Sequence, residues 1–203
     1  MLFDNRAPPP KNALWAGDES GMQFVESRPG VIRSINQRGL LNYWNRLRAG
    51  DTIPVWQGLD AEELARMTEN LSFSDVVATT TGKRFLIRHH GKRIAETYGS
   101  NCSGKFLDEI LPPAILEPVL ATYRHLLVAK QPVYTIVDTS DRNGRPVHYE
   151  RLLLPFGRDS KTVDRVLVSL ETVSPDGAFE NRNLMKLPAL TAHFAVCATI
   201  SHM

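Results

Sequence analysis

The chain has 203 residues, with 24 Lys and Arg against 22 Asp and Glu and a formal net charge of +2. That near-balance excludes a chain-wide attraction to nucleic acid or anionic lipid, which needs a concentrated excess of positive charge. Hydrophobic residues at 42% and charged residues at 23% are a globular composition. Two cysteines, Cys102 and Cys197, are too few for a disulfide framework or a four-thiolate zinc site.

Residues 1–30 read as a flexible or loosely packed arm. Pro8-Pro9-Pro10 cannot enter a helix, and Gly17, Gly21, Pro29 and Gly30 interrupt any continuation. The arm lacks the apolar centre of a secretion signal, and no stretch approaches the roughly 18 apolar residues of a membrane span. A cytoplasmic protein with reduced thiols is therefore expected. Residues 31–70 read as a helical lead-in. Ile32, Ile35, Leu40, Tyr43, Trp44 and Leu47 recur mostly at three- and four-residue spacings, which predicts an amphipathic helix over 32–47 stopped by Gly50 and Pro54. Asp60, followed by Glu62 and Glu63, suits the capped start of a second helix.

The pattern changes at Leu71, where a unit over 71–173 begins. Phe73, Asp75, Val76, Val77 and Ala78 predict a strand, Thr80-Thr81-Gly82-Lys83 a hairpin turn, and 84–90 a second strand. Residues 106–111 predict a short helix ended by Pro112-Pro113. Residues 115–129 predict a longer helix with an apolar face of Val119, Leu120, Tyr123, Leu126 and Leu127. Three strands follow over 133–139, 147–156 and 162–173. Asp141-Arg142-Asn143-Gly144 marks the hairpin between the first two, because Asn-Gly accepts positive φ at low cost. In the tail, 174–203, the apolar run 184–200 is predicted to pack as a terminal helix.

Two strands, helices and then three strands is the order of a PAS domain, and several runs agree with it. Arg84-Phe85-Leu86-Ile87-Arg88, Gly91-Lys92-Arg93-Ile94-Ala95-Glu96-Thr97-Tyr98-Gly99 and Gly104-Lys105-Phe106-Leu107-Asp108-Glu109-Ile110-Leu111-Pro112 resemble the second strand and following helical section of PAS proteins. Tyr149-Glu150-Arg151-Leu152-Leu153-Leu154-Pro155 is similar to the fourth strand of a bacterial, alphaproteobacterial-type PAS subfamily, in which a lead-in with a Tyr-Trp pair, here Tyr43-Trp44, precedes the sheet. The resemblance covers about 40–173. It implies an α+β PAS fold, a five-stranded antiparallel sheet with helices on one face. It also implies sensing: such modules hold a small molecule or cofactor between sheet and helices, or serve in dimerisation and docking. With no room here for a kinase, cyclase or helix-turn-helix output, a non-enzymatic, stand-alone sensor or regulator is expected. It would act as a homodimer on an unidentified small ligand or signalling protein, with no part for nucleic acid or membrane.

The implied pocket has Phe85, Ile87, Tyr98, Phe106, Tyr123, His125, Leu126, Tyr149, Arg151 and Leu153 as its candidate lining. If Tyr149 and Arg151 share the inner face with Leu153, Arg151 either anchors an anionic ligand or pairs with a carboxylate. The cofactor is left unknown. Flavin photochemistry is not expected, because aligning Gly104-Lys105-Phe106-Leu107 with the family puts Leu107, not Cys102, at the reactive cysteine's place. Haem is the alternative, with His125 as its axial ligand. No metal site is expected, since His89 and His90 point to opposite faces of a strand, and no catalytic motif is present. Lys83, Arg84, Arg88, Lys92 and Arg93 form a basic cluster suited to an acidic partner or a nucleotide. Leu40, Tyr43, Trp44 and Leu47 are the candidate dimer interface, as aromatics are enriched in interface cores.

Overall fold

The computed structural model describes residues 21–48, 50, 53–174, 177, 180–187 and 190–201; residues 1–20 of the expected arm lie outside them. All the strands belong to one sheet: β1 (Val25–Ser27), β2 (Leu71–Thr79), β3 (Gly82–His90), β4 (Val133–Ser140), β5 (Pro146–Phe156), β6 (Arg165–Val173) and β7 (His193–Ile200). Their order across the sheet is β1-β7-β4-β5-β6-β2-β3. The five expected strands are all there as its contiguous part from β4 to β3. The expected count of five is nevertheless too low, because β7 adds antiparallel to β4 and β1 adds parallel to β7.

β7 also corrects the helix expected in the tail. His193-Phe194-Ala195-Val196-Cys197-Ala198-Thr199-Ile200 carries β-branched residues that fit a pleated surface. Without β7, β4 would present a row of unpaired backbone donors and acceptors, and an edge of that kind recruits a strand. The last residues of the expected arm, Val25–Ser27, are likewise sheet. Their neighbour Ser201 donates from its amide to the Ser27 carbonyl at 3.1 Å.

Helices cover both faces of the sheet, not one. On the inner face lie α3 (Lys92–Tyr98), α4 (Leu107–Ile110) and α5 (Pro113–Ala129). On the outer face lies α1 (Ile35–Arg48), the helix expected over 32–47. The Gln37 side-chain amide donates to the carbonyls of Glu150 and Ser169 at 3.0 and 3.2 Å. The Trp44 indole N–H donates to the Pro155 carbonyl at 2.8 Å. Leu40, Tyr43 and Trp44 are therefore buried in the chain's own core, and Leu47 packs against it. A dimer built on that face would have to strip these side chains from the sheet. After α1 comes α2 (Ala61–Ala65), whose start Asp60 caps by accepting from the Glu62 amide at 2.8 Å.

Being covered on both faces explains the continuous apolar run in β5. Leu152, Leu153, Leu154 and Phe156 are all fully buried, and a strand buried on both sides has no polar positions to alternate. The pleat also settles Glu150 and Arg151. Glu150 points to α1, where its carboxylate accepts from the Ser34 amide at 3.1 Å and the Tyr134 hydroxyl at 2.9 Å. Arg151 consequently points to the inner face.

Residues 180–187 form a strap from the end of β6 toward β7. The Glu180 amide donates to the Asp141 carboxylate at 3.0 Å, and the Asn183 amide to the Glu96 carbonyl at 2.9 Å. The Thr97 hydroxyl donates to the Asn181 side chain at 3.1 Å. The strap's anchor on α3 rests on Gly99, the left-handed helix cap at φ 68°, where any Cβ would run into the Asn183 side chain. Leu184 and Met185 of the strap are buried.

Candidate functional site

Strand register assembles the floor of a cavity, since residues paired across strands share a face. Ser72 pairs with Val168, Leu170 with Arg151, Tyr149 with Val137, and Val137 with Phe194. Ile94 and Tyr98 from α3, Leu107 and Ile110 from α4, and Ile115, Val119 and Tyr123 from α5 form the roof. Met185 of the strap completes the wall of a cavity of about 50 Å³.

The cavity wall is apolar apart from three phenols, Ser72, His90 and Arg151. Arg151 is only 6% exposed. One of its terminal nitrogens, Nη2, donates to the Thr122 hydroxyl at 3.3 Å, while that hydroxyl donates to the Val119 carbonyl at 2.7 Å. The other, Nη1, is buried with no hydrogen-bond partner. No carboxylate among the described residues lies within ion-pair distance of Arg151. Across β4 the register neighbour of Arg151 is Thr135, whose buried hydroxyl also has no partner.

The surrounding groups are neutral. Desolvation raises the Tyr98, Tyr123 and Tyr149 phenols above their ordinary value, against the opposing charge of Arg151, and takes Tyr149 to about 12. They are hydroxyl donors throughout the physiological range. His90 is lowered to about 4, first by desolvation and then by His89, and its Nδ1 accepts from the Cys102 amide at 3.3 Å. Arg151 is thus the cation on the cavity wall.

Of the expected lining residues, Ile87, Tyr98, Tyr123, Tyr149 and Arg151 reach the cavity. Phe85 lies beside it, its ring centroid 4.6 Å from that of Tyr123. Leu126 and Leu153 are fully buried in the core instead. Phe106 sits under the Arg84 guanidinium at 3.7 Å, on the far side of β3. His125 points elsewhere: its Nε2 is 2.7 Å from the Thr199 hydroxyl, and its ring stacks on Phe24 at 3.9 Å. At about 100° per residue, two positions from an inward Tyr123 place a side chain round the back of the helix. The expected haem ligand is therefore not part of the cavity wall.

His90, Met185 and Phe194 line the cavity without having been expected there. The pairings Ser72 with His90 and Ser74 with Ile87 skip Arg88, so a β-bulge turns both Ile87 and His90 inward. Nothing in the local sequence announces that bulge. Met185 and Phe194 come from the tail, which the family resemblance does not reach. The arginines of the basic cluster have acidic partners. Arg84 pairs with Asp108 and Glu109 at 2.9 and 3.0 Å, Arg88 with Asp75 at 2.7 Å, and Arg93 with Glu69 at 3.6 Å. Cys102 is a buried free thiol.

Among the described residues, no cluster of three or more His, Cys, Asp or Glu side chains is arranged to hold a metal, and no helix is long and apolar enough to cross a membrane. No curated protein matches the chain. A sequence model described as the PAS domain matches residues 32–171, from the lead-in of α1 into β6 and more than half of the chain. That match coincides with the contiguous strands β4-β5-β6-β2-β3 and the helices between β3 and β4, and the chain accordingly belongs to the PAS domain family.

Proposed function

We propose that this chain is a non-enzymatic sensor that binds a small ligand between the sheet and α3–α5 and passes the change on through its C-terminal strap and β7. The observation that carries this is the composition of the cavity wall. Met185 and Phe194, which follow the PAS core in sequence, stand on the same cavity as Tyr123 and Arg151. A ligand that presses on Met185 acts on a segment held to the core by a few hydrogen bonds through Glu180, Asn181 and Asn183. Segments tied in this way open at lower free energy than the strands beside them. A homodimer belongs to the same proposal, on a surface other than the Leu40–Trp44 face, and light scattering reads it directly.

Native mass spectrometry of the purified chain, followed by hydrogen exchange with and without the extracted small molecule, tests the reading. Bound mass together with altered protection over 180–200 is the expected result. A chain that takes up no small molecule, or one whose ligand leaves the protection of 180–200 unchanged, would refute it and move the search to protein partners.

A further inference from the structure

The geometry points to a small monocarboxylate as the ligand, its carboxylate held by Arg151 and its short hydrocarbon part lodged against the aliphatic wall. This rests on the reading of the cavity as a ligand site and adds the chemical class. A guanidinium that is 6% exposed, has no carboxylate partner among the described residues and leaves Nη1 without any acceptor is a charge awaiting a counter-charge, since an unpaired buried ion is costly. The planar guanidinium matches a carboxylate in shape as well as sign.

Charge arithmetic sets the valence. Arg151 is the lone cation among the described residues on the wall, because His90 is neutral near pH 7 with its pKa at about 4. One positive charge neutralises a monoanion and leaves a phosphate dianion uncompensated. Size sets the rest. A cavity of about 50 Å³ has room for on the order of three to five water-sized groups, which is the scale of acetate or propionate. Ile87, Val119 and Leu170 offer such a molecule's carbon chain an apolar surface.

The test uses the full chain and titrates acetate, propionate, butyrate and pyruvate against propionamide, butyramide and inorganic phosphate at matched ionic strength. Binding is read by ligand-observed NMR and by thermal shift. Arg151→Met and Arg151→Lys are run beside the parent, with circular dichroism verifying the fold. At least one monocarboxylate is expected to bind about tenfold or more tighter than its amide, with phosphate inert. Arg151→Met should lose that preference and Arg151→Lys should keep part of it. Amides that bind as well as the acids, or a preference that survives Arg151→Met, would overturn the carboxylate assignment while leaving a ligand cavity in place. A chain that binds none of the probes and carries no added mass as purified would overturn both.

Discussion

Replacing Arg151 by Met should make the ligand-free chain more stable. A buried ion without a counter-charge costs several kcal/mol of desolvation even after relaxation, and well-packed apolar replacements of buried ionic groups gain about 1–4 kcal/mol. Against this stands the loss of the 3.3 Å hydrogen bond to Thr122, long for its type and worth about 1 kcal/mol or less. Met reproduces the unbranched stem as far as the Nε position and ends it in an apolar methyl against the apolar wall. The balance is a gain of about 1–3 kcal/mol. At about 2–4 °C per kcal/mol for a chain of this size, Tm should rise by about 2–12 °C. Urea unfolding at pH 7 in carboxylate-free buffer measures it, with the slope checked so that a shifted midpoint reports stability. A variant destabilised by more than about 1 kcal/mol would refute the reasoning, because Arg151 would then be a structural tie and its unpartnered Nη1 would carry no functional meaning. The expected opposition, stability gained while binding is lost, is typical of a polar group kept in a core for the sake of a ligand.

Three other perturbations follow from the same structure. His90 has a folded pKa of about 4 against an ordinary 6.5, so the unfolded chain binds more protons between those values. Its stabilisation is complete above pH 6.5 and is lost as the pH falls toward 4, up to about 2–3 kcal/mol. Urea midpoints from pH 7.5 to 4 check this, and His90→Gln, which keeps an acceptor for the Cys102 amide, should flatten the slope; an unchanged slope would rule His90 out. Trp44→Phe leaves the Pro155 carbonyl without its indole donor and should cost about 2–4 kcal/mol in chemical denaturation. A near-neutral result would mean that α1 is not clamped to β5. Gly91→Ala places a Cβ against the carbonyl oxygens of Thr68 and Glu69. It should lower stability by about 1–3 kcal/mol although the backbone there suits any residue; parent-like stability would show that the 68–70 turn yields freely.

Elements with their own periodicity were legible from the chain alone. α1 shows its apolar spacing, the β4–β5 hairpin its Asn143-Gly144 turn, and the PAS order its helices between two groups of strands. Within the site, Tyr149 and Arg151 followed from the two-residue alternation of β5, and Tyr123 from the apolar face of α5. His125 was misplaced because a helix turns about 100° per residue, so its direction had to be read against Tyr123. The aromatic face of α1 was equally open: Tyr43 and Trp44 need burial, and no local signal says whether their own sheet or a second copy supplies it.

What the sequence by itself determined is therefore local: element types, turn positions and which residues of one strand or helix share a side. Only the tertiary structure decided what those sides meet. It put β7 on the edge of β4, α1 on the outer face of the sheet and Met185 and Phe194 on the cavity, each through contacts between residues far apart in the chain. The bulge at Phe73 and Ser74 belongs to the same class, because register is a property of two strands together. So does the unpaired state of Arg151, since whether a buried charge has a partner depends on every element that packs around it.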